Sequence, residues 1–391
     1  MLVFYGTEND DNPTMGTLPL NGTNKSDKLF GLGGNDLLLG YNGKDILVGG
    51  AGADILDGGG GRNTASYEDA TTSVTADLSD SSKNLGDAAG DTYISIRDLI
   101  GSAQDDVLFG DNRMNTLVGG AGNDTLFGGH GDDVLVGGRD ADILDGGNGH
   151  DTTSYEFSHQ AVFVDLRLGI AFGGDAQGDR LISIENITGS DHSDALYGSA
   201  EDERLYGRQG DDQVFGRSGD DFLDGGYGGD FLRGGQGNDT IDGSLGSDRI
   251  AGNAGDDILF GGYGRDRDFI HGGAGQDVIM LGGDRISGGA DADVFVFRFS
   301  LGRDVITDFE DGIDLIDLPS SYSMADVVIR QGGNGHTMIH IGTSSHLDPD
   351  IIILKNINAS VIDVADFTFD GGPATAKAVS AADGEGDWIS L

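Results

Sequence analysis

Hydrophobic residues over much of this chain recur in short clusters at a fixed spacing rather than in long blocks. In the stretch GGAGNDTLFGGHGDDVLVGG (residues 119–138) a cell of nine residues, Gly-Gly-x-Gly-x-Asp-x-Leu-x, is written twice. A Leu that returns in phase once in nine residues fits no helix, whose buried stripe returns every three or four residues. The x-Leu-x third reads as a strand of about three residues, its middle side chain pointing one way and its neighbours the other. The Gly-rich remainder reads as a sharp turn, with Gly where φ is positive and where backbones crowd. Two cells make one coil of 18 residues, with strands on two faces and turns along two edges. Leu38, Leu47, Leu56, Leu117, Leu126, Leu135, Leu144, Leu223 and Leu232 then stack into a dry interior. The predicted fold is an all-β parallel solenoid.

Cells numbered from their first Gly have the acid sixth and the apolar residue eighth. They start at Gly22, Gly31, Gly40, Gly49 and Gly58, then at Gly101 through Gly146, then from Gly189 in steps of nine to Gly261. The Gly261 cell is two residues too long (GGYGRDRDFIH), and Gly272 and Gly288 open two more around LGGDRIS. A longer period overlies this one. TASYE at 64–68 returns as TTSYE at 152–156, and DAAGDTYISIRDLIGS (87–102) as DAQGDRLISIENITGS (175–190), both 88 residues later.

The reading along the chain is a lead-in at 1–21, a repeat block at 22–66, strand-rich inserted coils at 67–100, a second block at 101–154, further inserted coils at 155–188 and a third block at 189–296. From 297 to 370 the nine-residue step is gone. VFVFRF, DVITDF, DLIDL, VVIR, TMIHI, DIIIL and VADFTF, spread over 294–369, are strand candidates that read as a C-terminal β cap. Residues 371–391 are small and polar and end in WISL.

Stacked turns bring carboxylates into columns about 4.8 Å apart, such as Asp36 with Asp54, Asp124 with Asp142 and Asp221 with Asp239. Like charges so placed repel, and a hard divalent cation reverses the sign of the interaction. Calcium takes six to eight oxygens at about 2.3–2.6 Å, which carboxylates from adjacent turns and turn carbonyls can supply; magnesium, near-octahedral and reluctant to lose water, suits the turns less well. The competing explanation is that each Asp only forms its turn. That accounts less well for Gly at the first and fourth places together with Asp at the sixth over some twenty cells. The candidate ligands for multiple calcium ions are Asp27, Asp36, Asp45, Asp54, Asp106, Asp124, Asp133, Asp142, Asp151, Asp194, Asp212, Asp221, Asp230, Asp239, Asp248, Asp257, Asp266, Asp277 and Asp293. In the long cell either Asp266 or Asp268 can fill the sixth place. Asn63 and Asn115 replace the acid and Glu203 lengthens it, so weaker or lost sites are expected there.

Composition narrows the function. The 391 residues include 71 Gly and no Cys, with 67 acids against 23 bases for a net charge of −44. Disulfides and thiolate chemistry are excluded, and the acid excess argues against nucleic-acid and anionic-membrane partners. No apolar run is long enough for a transmembrane helix, and MLVFYGTENDD lacks the pattern of a secretory signal peptide. No His-Glu-x-x-His and no Gly-x-Ser-x-Gly occurs, and too few residues precede the first cell for a catalytic domain. His336 and His340 read as one face of a strand. The twice-used Ser-Tyr-Glu (66–68, 154–156) offers acid–base groups, though a structural role at a coil junction fits its copying better.

These cells resemble the haemolysin-type RTX proteins of Gram-negative bacteria over roughly residues 22–300. Residues 288–318 are similar to the C-terminal module of serralysin proteases and mannuronan epimerases. The resemblance implies a right-handed parallel β-roll with calcium between turns. It also implies export by type I secretion machinery through an uncleaved tail, for which Asp387, Trp388, Ile389, Ser390 and Leu391 are candidates, although Ser390 interrupts the apolar run. The function expected is that of a secreted, non-catalytic calcium-binding protein, folding on calcium outside the cell. Its role would be structural or one of contact with extracellular polysaccharide or a cell surface. The alternatives are a carbohydrate-active enzyme or substrate-binding module related to the epimerases, and a membrane-active nodulation-type protein.

Overall fold

The computed structural model describes residues 1–7, 9, 11, 18–262, 266–297, 303–342 and 350–369. The expected secretion tail at 371–391 lies outside the described residues. The chain is all-β and falls into two compact units, Met1–Ser190 and Asp191–Leu391, each a parallel β-solenoid.

In the first unit, strands of three to six residues pair in parallel with strands 18 residues on, so two cells make one coil. Leu37 lies beside Ile55, Ile46 beside Thr64 and Leu126 beside Leu144. The eighth residue of each cell points inward: Leu29, Leu38, Leu47, Leu56, Leu108, Leu117, Leu126, Leu135 and Leu144 are fully buried. Each of these Leu thus sits beside at least one other, and Ala65, Ala76 and Thr153 continue the rows towards the insertions.

The two insertions stay within this stack. Ile55 pairs with Thr92 and Ile143 with Arg180, and Thr64 pairs with Asp98 and Thr152 with Asn186. The 88-residue copy is therefore visible as a copied detour. In its second version Phe163–Asp165 and Ile170–Phe172 form an antiparallel hairpin. That insertion also borders an open cleft lined by residues that include Asn123, Arg139, His159 and Gln177. The lead-in contains a strand that the nine-residue count did not reveal. Leu2–Tyr5 pairs in parallel with Asp27–Phe30, and the Tyr5 and Phe30 rings stack at 5.1 Å.

The second unit shows how a length error is absorbed. Pairing runs in steps of 18 as far as Phe231 with Arg249 on one face and Thr240 with Ile258 on the other. The long cell makes the next step 20 residues, Arg249 with Phe269, and the shortened cell after it makes the following step 16, Phe269 with Arg285. Beyond the cells, Val327–Gln331, Thr337–Ile341 and Asp350–Leu354 form an antiparallel sheet whose last strand pairs in parallel with Arg303–Ile306. Leu315–Asp317 pairs with Phe367–Thr368. Phe295, Phe309, Ile316 and Leu318 are buried.

Because Leu135 is fully buried between Leu117 and Thr153, Leu135→Ala should cost about 2–5 kcal/mol. Urea unfolding in saturating calcium reads this directly, and the equivalent change at exposed Met114 should leave the midpoint near wild type.

Candidate metal centres

The sixth residue of each cell turns into the edge of the coil and is buried there. Its backbone N–H donates to the carboxylate of the sixth residue one coil on. In the first unit Asp27 N–H reaches Asp45 Oδ1, Asp36 reaches Asp54, Asp106 reaches Asp124, Asp124 reaches Asp142 and Asp133 reaches Asp151, all at 2.8 Å. In the second unit Asp194 reaches Asp212 at 2.7 Å, and Asp212 to Asp230, Asp230 to Asp248 and Asp239 to Asp257 each span 2.8 Å. Asp221 to Asp239, Asp257 to Asp277 and Asp277 to Asp293 each span 3.0 Å.

Each bond satisfies one carboxylate oxygen. The other is buried with no hydrogen-bond partner in Asp45, Asp124, Asp133, Asp142, Asp151, Asp212, Asp221, Asp230, Asp239, Asp248, Asp257 and Asp277. A buried unpartnered anion is costly, so either a proton or a cation must offset it. Protonation is favoured strongly in the metal-free state. Burial first, with neighbouring carboxylates adding to it, pushes Asp142, Asp212, Asp248 and Asp257 up to about 8. The same causes place Asp124, Asp133 and Asp293 at about 7. Burial holds Asp151 and Asp230 at about 6.

The unpartnered oxygen lies against the first Gly of its own cell and the first-Gly carbonyl of the next coil. A Cβ on Gly128 would stand 2.5 Å from Asp133 Oδ2 and 2.6 Å from Gly146 O; one on Gly207 would stand 2.5 Å from Asp212 Oδ2 and 2.6 Å from Gly225 O. Among the described residues no three His, Asp or Glu side chains converge as a metal-binding group. Carboxylates alone therefore do not complete a shell. One carboxylate oxygen per cell beside inward-facing carbonyls is an all-oxygen donor set, which fits calcium.

Three departures from the pattern resolve differently. Asn63 accepts from Asp45 N–H at 3.0 Å and donates to Ser95 O at 3.2 Å. Asn115 donates through its side chain to Arg97 O at 2.6 Å. Both amides thus satisfy themselves without a cation. Arg62 adds a neutralising clamp, donating to both Asp98 oxygens and to Thr116 Oγ1 at 2.8 Å. Glu203 keeps the acidic pattern, with Oε1 taken by Ser199 and Oε2 buried and unpartnered.

In the long cell the sixth place belongs to Asp268, which accepts from Asp248 N–H at 2.8 Å; Asp266 is exposed and off the column. The columns also include acids that the count passed over. Asp11 N–H donates to Asp36 at 2.6 Å, while Asp284 accepts from Asp268 at 3.1 Å and Asp304 from Asp284 at 2.9 Å. Asp314 accepts from Asp293 at 3.1 Å.

In the insertions, Asp91 accepts from Asp54 N–H at 2.8 Å and Asp179 from Asp142 N–H at 3.0 Å. Here the second oxygen does have a partner: the buried Tyr67 hydroxyl donates to Asp91 at 2.8 Å and Tyr155 to Asp179 at 3.0 Å. The Ser-Tyr-Glu tyrosines thus cap column carboxylates. Their hydroxyls are held well above the usual phenol range, chiefly by burial. The sequence signal was present as Gly86…Asp91…Tyr93 and Gly174…Asp179…Leu181, obscured because Ala89 and Gln177 stand at the fourth place.

The RTX calcium-binding nonapeptide repeat (4 copies) family matches residues 21–65, 109–153 and 188–297, just over half of the chain. The chain belongs to this RTX family. Two solved structures are similar to it. A subunit of the Azotobacter vinelandii mannuronan C5-epimerase aligns at 20% identity and TM-score 0.19, over 46% of this chain and 79% of that one. The extracellular lipase of Serratia marcescens aligns at 16% identity and TM-score 0.18, over 68% of this chain; the RTX chain spans 40% of the lipase's length. No curated protein matches. Repeats of this family bind calcium, and the unpartnered oxygens lie in the repeats of this RTX chain.

Asp142→Asn removes one buried charge, so calorimetric titration should count fewer bound ions than in wild type, with the remaining sites retained. The pH response should invert with calcium. In chelator, folded-state carboxylates raised to about 6–8 contribute stability that is complete below the ordinary value of 3.8 and is lost as pH rises through that window. Acidification from pH 8 towards 5 should therefore increase the strand signal in circular dichroism. In calcium the same protons compete with the ion, and apparent affinity should fall over the same range.

Proposed function

We propose that this RTX protein is exported unfolded and folds on meeting calcium outside the cell, where it serves a structural or surface-contact role. The observation that carries this reading is the row of buried carboxylate oxygens without hydrogen-bond partners. Ordering 71 glycines opposes folding by roughly 1–2 kcal/mol per residue, and a metal-free roll would also bury those charges. Cation binding supplies the missing interaction, which makes ion binding and folding one event. The proposed ligands of multiple ions are the column aspartates named from the sequence, with Asp268 in place of Asp266, together with first-Gly carbonyls. Extracellular calcium sites work at about 10⁻⁴–10⁻³ M, so the chain would stay open inside the cell and close outside it. Export through type I machinery belongs to this reading, with residues 371–391 as the signal.

Circular dichroism tests the coupling. In excess chelator at pH 8 the strand signal should be lost, and it should return cooperatively in millimolar calcium but not in equal magnesium. A strand signal that persists in chelator would sink the proposal.

A further inference from the structure

One face of the second unit carries the opposite charge from the rest of the chain. Six strands lie side by side there: Ala195–Tyr197, Gln213–Ser218, Phe231–Gln236, Arg249–Ala254, Phe269–Ala274 and Arg285–Ala290. They contain no Asp or Glu, in a protein whose net charge is −44. Their eighth-place residues Leu196, Val214, Leu232, Ile250, Ile270 and Ile286 are buried, so the residues flanking these face outward.

The outward positions form a pattern. Phe231, Arg249, Phe269 and Arg285 are register partners in succession, giving a row that alternates ring and guanidinium. With strands about 4.8 Å apart, each kind recurs about every 10 Å. Beside this row Tyr197 and Phe215 stack at 4.8 Å, nearly parallel at 2°. Arg217 lies 5.2 Å over Tyr197 and Arg233 lies 5.9 Å over Phe231. Arg233, Arg249 and Arg285 are exposed and make no ion pair among the described residues. Phe269 is 52% exposed. The opposite strands of the same unit are unlike this, carrying Asp224, Asp242 and Asp317.

We infer that this face binds an acidic polysaccharide, with the aromatic rings against the sugar rings and the arginines on the uronate carboxylates. The C–H face of a pyranose is apolar and lies well against the negative face of an aromatic ring. A guanidinium pairs with a carboxylate through two parallel hydrogen bonds. An extended uronate polymer presents ring faces and carboxylates in regular alternation, as the row does. Nucleic acid fits less well: its dense phosphates would meet the acidic remainder of the chain, and the face has no Lys. This inference rests on the proposed extracellular roll and names its partner.

The test uses the full chain in saturating calcium, with hyaluronan oligosaccharides as the probe because each carries a carboxylate on every second ring. Neutral dextran and single-stranded oligo-dT serve as comparisons. Calorimetry or fluorescence anisotropy should show hyaluronan binding that weakens with salt, with dextran and oligo-dT weaker. The triple variant Arg233→Glu, Arg249→Glu, Arg285→Glu should bind at least about tenfold less tightly, and Phe269→Ala should weaken binding severalfold. Both should keep the wild-type calcium titration and circular dichroism. If a charge-reversed variant does not fold, Arg233→Gln, Arg249→Gln, Arg285→Gln carries the same expectation. Absent hyaluronan binding, equal binding by folded variants, or tighter binding of oligo-dT overturns the inference. Dichroism in chelator, recorded first, separates this from the folding proposal: a chain folded without calcium ends that proposal and leaves the saccharide result to be read alone.

Discussion

The structure depends on one hydrogen bond repeated along each edge, from the backbone N–H of a column residue to the carboxylate of the column residue one coil on. It fixes the spacing of the turns and brings the carboxylate indoors. It also uses only one of two oxygens, so the bond that organises each coil creates the charge that the coil must neutralise. Fold and metal demand therefore arise from the same contact. Where the demand is lifted, the chain lifts it by substitution at that contact: Asn63 and Asn115 use amide donors, and Asp91 and Asp179 are capped by Tyr67 and Tyr155.

The apolar interior has a separate task. A column of Leu above Leu resists lateral slip, because a shift by one residue would turn every inward side chain outward. The glycines are constrained by the neighbouring coil as much as by their own dihedral angles. At Gly128 and Gly207 the space a Cβ would occupy is bounded by the carboxylate and carbonyl oxygens proposed to face an ion. Interior, turn and edge thus place different requirements on one nine-residue cell, which explains why so much of the cell is invariant along the chain.

The solenoid and most of its columns were legible in the sequence because each cell repeats its acid and its apolar residue together. The failures share a cause. Counting forward from the first Gly left Asp266 and Asp268 open and passed over Asp91, Asp179, Asp284 and Asp304. Counting back two places from the inward residue finds them: Asp268 before Ile270, Asp179 before Leu181, Asp284 before Ile286 and Asp304 before Ile306. The strand anchors the phase and the turn takes up slack, so distance from the strand is the conserved quantity. The arginine and aromatic face was not legible, because residues such as Arg249 and Phe269 become neighbours only when coils stack.

The paired steps of 20 and 16 residues in the second unit have a wider meaning. Two coils with opposite errors together span the length of two ordinary ones, and beyond them the parallel ladder continues in longer steps, Arg285 with Val305 and Val294 with Leu315. Such an array behaves like a screw thread whose pitch can change locally while the strands stay in register. Length differences therefore collect in the turns, while the inward row of Ile250, Ile270, Ile286 and Ile306 runs on unbroken, as a thread keeps its line when the spacing of its turns does not.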